Sequence, residues 1–264
     1  MSILETIMQH KIKEVEDRKS LYPVKLLEQS IFFESPCGSL KEYVTDPNRS
    51  GIIAEFKRKS PSKGNINQYA NVEEITLGYM QAGASALSVL TDEYFFGAKK
   101  DDLPTARRFN YCPILRKDFM LDEYQVIEAK SIGADAILLI ASFLSPSAIV
   151  QLTNFAHSLG MEVLLETHTE QEVKDNIETT ADLVGINNRN LNTFEVDIAN
   201  SIRLAEMLPT GIPKIAESGI ESADTIRRLK QNGFNGFLIG EYFMRHSHPA
   251  QKCKELIKQL GYEN

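Results

Sequence analysis

In this 264-residue chain, charged residues recur where short apolar runs stop. The clearest case is GIIAEFKRKSPSKG, Gly51–Gly64. An apolar run leads into Glu55, Lys57, Arg58 and Lys59, then into the turn formers Ser60, Pro61, Ser62, Lys63 and Gly64. Strand alternation places Ile53, Glu55 and Lys57 on one side and Ala54, Phe56 and Arg58 on the other. Other runs end the same way: CPILRKDF at Lys117, MEVLLET at Glu166, ADLVGINN at Asn187, and IPKIAESG at Glu217 and Ser218. If these ends meet, two ammoniums and three carboxylates share one volume. Charges crowded in a partly dry site shift one another's pKa, and acids and bases matched to neutral pH are made in this way. A rim salt bridge accounts for any one of these residues, but a stability network does not need every charge at the same end.

A second group suits an anion. Arg189 lies two residues past Asn187, Ser218-Gly219 precedes a helix cap at Ser222, and Gly240-Glu241 follows the last apolar run. Small residues let backbone N–H groups approach phosphate oxygens, and Lys59 and Arg189 add positive charge. Beside a dianion the Glu241 side chain is expected to point away, leaving only its N–H to bind. Phe95, Phe96 and Phe119 are candidates for an apolar wall against an aromatic ligand. The five histidines show no metal-ligand spacing, so no metal site is expected. His168 is expected in a capping or surface role.

The elements that must position these groups alternate. Strand-like runs at Gly51–Phe56, Ala86–Leu90, Pro113–Lys117, Ala136–Ile140, Glu162–Glu166, Leu183–Asn187, Pro213–Glu217 and Phe237–Gly240 are separated by amphipathic helical patterns. Ser145-Pro146, the Thr169–Glu172 capping box and Ser222 mark helix starts. Eight strand–helix units predict an α/β fold, a closed (β/α)8 barrel whose chemistry sits at the C-terminal mouth, with the loops after strands seven and eight as the phosphate cradle. The rival is an open Rossmann-type sheet, but no G-x-G-x-x-G follows the first strand. The first 50 residues read as a helical extension: Ser2 and Glu5 cap a helix with Ile3, Ile7, Met8, Ile12 and Val15 on one stripe, and a short helix follows over Val24–Gln29. Residues 1–264 are expected to form one domain, with the extension over 1–50 and the barrel over 51–264.

Composition is that of an ordinary globular protein, 42% hydrophobic and 25% charged, with a net charge of −7. That balance argues against a general nucleic-acid or anionic-membrane binder. Cys37, Cys112 and Cys253 are few and far apart, which favours a reducing cytoplasm over a disulfide framework. The charged N-terminus does not read as a signal peptide, and no run approaches the ~20 apolar residues of a membrane span.

AEFKRKSPSKG, LRKDF, LLETH, GINNRNL, AESGI and LIGEYFMR, in this order and at these spacings, resemble the indole-3-glycerol phosphate synthase family from about Ser2 to the C-terminus. KRKSPS is the specific block, whereas AESGI is shared more loosely among phosphate-binding barrels. The resemblance implies ring closure of 1-(2-carboxyphenylamino)-1-deoxyribulose 5-phosphate, with loss of CO2 and water and without cofactor or metal. It implies Lys117 as general acid, Lys57 on the anthranilate carboxylate with Glu55 orienting it, and Glu166 as acid or base in the dehydration. Asn187, Glu217 and Ser218 would position the sugar hydroxyls and ring nitrogen. Lys59, Ser60, Arg189, Gly219, Gly240 and Glu241 (by its backbone) would hold the phosphate end, and Phe95 and Phe119 the ring. A monomer is expected, with at most weak association with other tryptophan-pathway enzymes. Departures are Thr167 for the usual valine and the bulky Tyr242 and Phe243. From the residues alone, a Schiff-base phosphosugar aldolase using Lys57 or Lys117, or a non-catalytic phosphosugar-binding barrel, are the alternatives.

Overall fold

The computed structural model describes residues 3–190 and 195–262, so the expected cap at Ser2 lies outside the described residues. Parallel strands are buried on both faces when helices cover them, and therefore read as near-continuous apolar runs. Eight such runs form β1 (Ile52–Phe56), β2 (Ala86–Leu90), β3 (Ile114–Lys117), β4 (Ala136–Ile140), β5 (Glu162–Thr167), β6 (Leu183–Asn187), β7 (Lys214–Glu217) and β8 (Gly236–Ile239). Every strand end lies within one residue of its expected position. The sheet closes because β1 pairs with both neighbours in register, Ile53 opposite Ala86 of β2 and opposite Leu238 of β8. The fold is a (β/α)8 TIM barrel with an N-terminal helical extension.

Strand alternation sorts the core into two layers. Ile53, Leu115, Leu138, Leu164, Leu183, Ile215 and Leu238 fill the barrel interior. Ile52, Ala54, Phe56, Leu87 and Val89 pack outward under the helices. The helices begin where caps predict: the Ser145, Thr169 and Ser222 side chains accept from the N–H groups of Ala148, Glu172 and Thr225. Arg58 takes the outward parity of Phe56; it is buried and forks onto Asp102, with Nη2 2.9 Å from Oδ1. It braces the first strand's exit and stays out of the mouth.

The extension holds α1 (Ile3–Leu21) and two short helices, Val24–Leu27 and Leu40–Thr45. Its buried stripe differs from the expected one. Ile7 and Val15 are buried, Ile12 is 48% exposed, and Lys11 is fully buried. Lys11 reaches Asp92 (2.8 Å), Asp118 (2.9 Å) and Glu14 (2.9 Å). A lysine without solvent is tolerable only when paired; here the pairing fastens α1 across the loops after β2 and β3. The turn formers of Ser60–Gly64 close a small hairpin pairing Lys59–Ser60 with Gly64–Asn65.

Candidate active site

A cavity opens at the C-terminal mouth, where the inward residues just beyond the apolar core are charged. Lys117, at the end of β3, donates to Glu166 Oε2 of β5 (3.0 Å) and to Glu217 Oε2 of β7 (2.8 Å). Asn187, at the end of β6, donates from Nδ2 to Glu166 Oε1 (3.0 Å), and the Arg189 N–H holds Asn187 through Oδ1 (3.0 Å). Glu55 of β1 pairs with Lys57 at 2.5 Å. All three carboxylates are almost fully buried.

Two glycines make room for them. A Cβ at Gly185 would lie 2.3 Å from Glu217 Oε1, and one at Gly240 would lie 2.2 Å from Glu55 Oε1. Both positions share the inward parity, so the missing side chains are what allow the carboxylates to lie flat against the neighbouring strand.

Burial alone would push Lys117 toward the neutral amine; Glu166, Glu217 and Glu55 outweigh it and raise the pKa above the ordinary lysine value. Burial also works against Glu166, but Lys117, His168 and Asn187 hold it well below the usual carboxylate range. Glu217 goes the other way: burial, then the charge of Glu166, push it up to about 8 against the pull of Lys117. Near neutrality the cluster therefore contains an ammonium, a carboxylate and a carboxylic acid within hydrogen-bond reach. His168 is buried, with Nε2 3.1 Å from Glu166 Oε1 and Nδ1 3.6 Å from Glu172 Oε2. Neither ring nitrogen makes an aligned hydrogen bond, but both carboxylates lie close enough to favour the charged ring. Burial opposes its charge, yet the two glutamates raise its pKa to about 9. The expected surface or capping role gives way to one behind the site.

Apart from Lys59, the residues expected to hold an anion line the same cavity. Ser218 and Gly219 adopt consecutive left-handed conformations, φ 66° and 68°. Ser218 is the one non-glycine residue there among those described. Asn188 holds this turn, donating from Nδ2 to the Ser218 carbonyl at 2.6 Å. Glu241 opens a short helix, Glu241–Met244, directly after β8. Its carboxylate turns into the cavity, accepting from Arg189 Nη2 at 3.0 Å, with Lys63 Nζ 3.8 Å from its other oxygen. The expectation that this side chain points away is not met, because Arg189, which also lines the cavity, pairs with it.

The indole-3-glycerol phosphate synthase family profile matches residues 4–256. The chain belongs to this family. An indole-3-glycerol phosphate synthase of Bacteroides thetaiotaomicron is 46% identical over 258 residues, covering 98% of both chains. One of Halalkalibacterium halodurans is 40% identical, covering 97% of this chain and 96% of its own. Among solved structures, thiamine phosphate pyrophosphorylase from Pyrococcus furiosus aligns with TM-score 0.62 at 16% identity over 84% of this chain and 98% of its own. The tryptophan synthase α-subunit of the same organism aligns with TM-score 0.60 at 14% identity over 80% and 98%. At those identities the likeness is of fold alone.

For an indole-3-glycerol phosphate synthase family member, two of the expected site residues lie elsewhere. Lys59 shares the parity of Glu55 and Lys57, but the chain leaves the barrel after Phe56 and the hairpin resets the alternation. Its Nζ donates to the Tyr94 carbonyl at 3.2 Å, outside the cavity. Phe95 is buried edge-on against Tyr94 and near His10 of α1, and Phe96 takes its expected place at the cavity. Phe96, Phe119 and Phe143 form a run of rings with centroids 6.1 and 5.0 Å apart. Glu55, Lys57, Ser60, Lys117, Phe119, Glu166, Asn187, Arg189, Glu217, Ser218, Gly219, Gly240 and Glu241 all line one cavity. Leu4 and Ile7 of α1, and Asp92 and Asp118 beneath them, also line it without having been singled out as site residues. Ile7 carried a signal as part of an apolar stripe; nothing in the sequence said which surface that stripe covers. Thr167 donates to the Gly185 carbonyl (3.0 Å), a bond valine cannot make.

Proposed function

We propose that this protein acts as an indole-3-glycerol phosphate synthase, converting 1-(2-carboxyphenylamino)-1-deoxyribulose 5-phosphate to indole-3-glycerol phosphate, CO2 and water. The observation that carries the reading is Lys117, an ammonium held between a carboxylate and a carboxylic acid. In the proposed reaction the ring carbon bearing the carboxylate attacks the ketone while Lys117 protonates its oxygen. Loss of CO2 returns the electron pair to the ring. The resulting hydroxyl then leaves as water, taking a proton from Glu217, while Glu166 removes the proton from the adjacent carbon. Lys57, oriented by Glu55, would hold the anthranilate carboxylate beneath the wall of Phe96 and Phe119. Arg189, Ser60 and the backbone of Ser218-Gly219 and Gly240-Glu241 would hold the phosphate. Clamping both ends folds the substrate into its reactive conformation, and orientation of this kind supplies much of the barrier reduction.

The raised pKa of Lys117 stands against that residue as a Schiff-base lysine, which needs a free amine. A binding-only barrel would have no use for converging acid and base groups. The three cysteines are free, in keeping with a cytoplasmic enzyme, and no helix among the described residues is long and apolar enough to cross a membrane. Incubating the protein with the substrate and following indole absorbance and fluorescence tests the proposal. No indole signal, together with a borohydride-trapped adduct at Lys117, would reverse it in favour of the aldolase.

A further inference from the structure

The Arg189–Glu241 pair is an odd feature for a phosphate site. The arginine best placed to meet the dianion is already engaged by a carboxylate, at 3.0 Å. Both side chains are largely sheltered, Arg189 18% and Glu241 24% exposed, and both line the cavity beside Ser218 and Gly219. A guanidinium holds carboxylate and phosphate through the same flat array of donors, so the two anions compete for it. A dianion on Arg189 would also face the Glu241 carboxylate across a short, partly dry gap, and like charges so placed repel strongly.

We infer that the Glu241 carboxylate is an internal stand-in for the substrate phosphate: it pairs with Arg189 in the cradle, is displaced when phosphate arrives, and so sets how tightly the cradle takes an anion. A landing place exists. Lys63 Nζ lies 3.8 Å from the other Glu241 oxygen, in the turn of the Lys59–Asn65 hairpin and more than half exposed. Leaving Arg189 for Lys63 keeps the carboxylate paired. Exchange of one anion for another means that part of the attraction between Arg189 and phosphate is cancelled by the pair that is lost. The inference rests on the phosphate end of the reading above.

The test is calorimetric titration of the full-length protein with inorganic phosphate, in the wild type, Glu241→Gln, Arg189→Ala and the double variant, with the KM for the carboxyphenylamino-deoxyribulose phosphate measured alongside. Glu241→Gln keeps the side chain's shape; Glu241→Ala and a melting curve guard against misfolding. Glu241→Gln is expected to bind phosphate about two- to fivefold more tightly, the range of a partly exposed ion pair, and to lower KM in parallel. In the Arg189→Ala background that gain should vanish, since there is no guanidinium left to compete for. Weaker phosphate binding by Glu241→Gln would mean that the carboxylate orients Arg189, and overturns the inference. So does a gain that persists without Arg189, which would be a general charge effect, or no phosphate binding by any variant. Tighter phosphate binding without indole formation would leave this inference standing and remove the synthase reading.

Discussion

Replacing Lys117 by alanine tests the charge assignment at the centre of the site. The ammonium meets Glu166 Oε2 at 3.0 Å and Glu217 Oε2 at 2.8 Å. At an effective dielectric of ~20, one such contact between full charges is worth roughly 5–6 kcal/mol before desolvation is counted. If both glutamates were ionised, the variant would bury two unpaired carboxylates and lose most of its stability. With its pKa pushed up to about 8, Glu217 instead carries a proton near neutrality. The variant then keeps one carboxylate, Glu166, beside charged His168 and the Asn187 amide. Lys117→Ala should therefore fold, losing on the order of 1–3 kcal/mol. Turnover should fall about a thousandfold, ~4 kcal/mol of transition-state stabilisation, because the proton donor at the ketone is gone. Indole fluorescence gives kcat, titration with indole-3-glycerol phosphate gives retained binding, and thermal unfolding gives stability. A kcat within tenfold of the wild type would refute Lys117 as the acid. A variant that does not fold at pH 7 would refute the protonated Glu217.

Arg189→Ala should raise KM about ten- to a hundredfold, the loss of a charge-assisted contact, with kcat changed only a few-fold; steady-state kinetics separates the two. Gly185→Ala places a Cβ 2.3 Å from Glu217 Oε1, so the carboxylate must move. An overpacking cost of about 1–3 kcal/mol should appear in the melting curve, with a loss in kcat larger than the rise in KM. His168 has its pKa raised from 6.5 to about 9 in the folded state. The stabilisation it gives is thus fully present below about pH 6.5 and lost as pH rises through about 9, amounting to at most about 3 kcal/mol. Denaturant titrations across that window should show the decline in the wild type, and His168→Gln should flatten it.

The periodicity of the chain was enough to determine the barrel. Eight apolar runs of strand length, each followed by an amphipathic helical pattern, have few ways to bury both faces, and a closed parallel barrel is the one with no edge left over. Strand parity likewise determined which polar groups face inward: Glu55, Lys117, Glu166 and Glu217 each follow an inward apolar residue by two positions, and Asn187 follows Leu183 by four, across Gly185. Parity fails where the strand ends. Lys59 and Phe95 lie in connections whose direction is set by contacts with other segments, and both turn toward Tyr94. Lys11 is buried because two aspartates from loops more than 80 residues away meet it, a pairing that helix periodicity does not show. Tertiary structure alone decided how protons are shared. Two glutamates at equivalent strand ends differ because one gains His168 and Asn187 and the other only a share of Lys117. It also decided that Glu241 faces Arg189, since opposite charges brought together by separate strands pair across the cavity whatever their order in the chain.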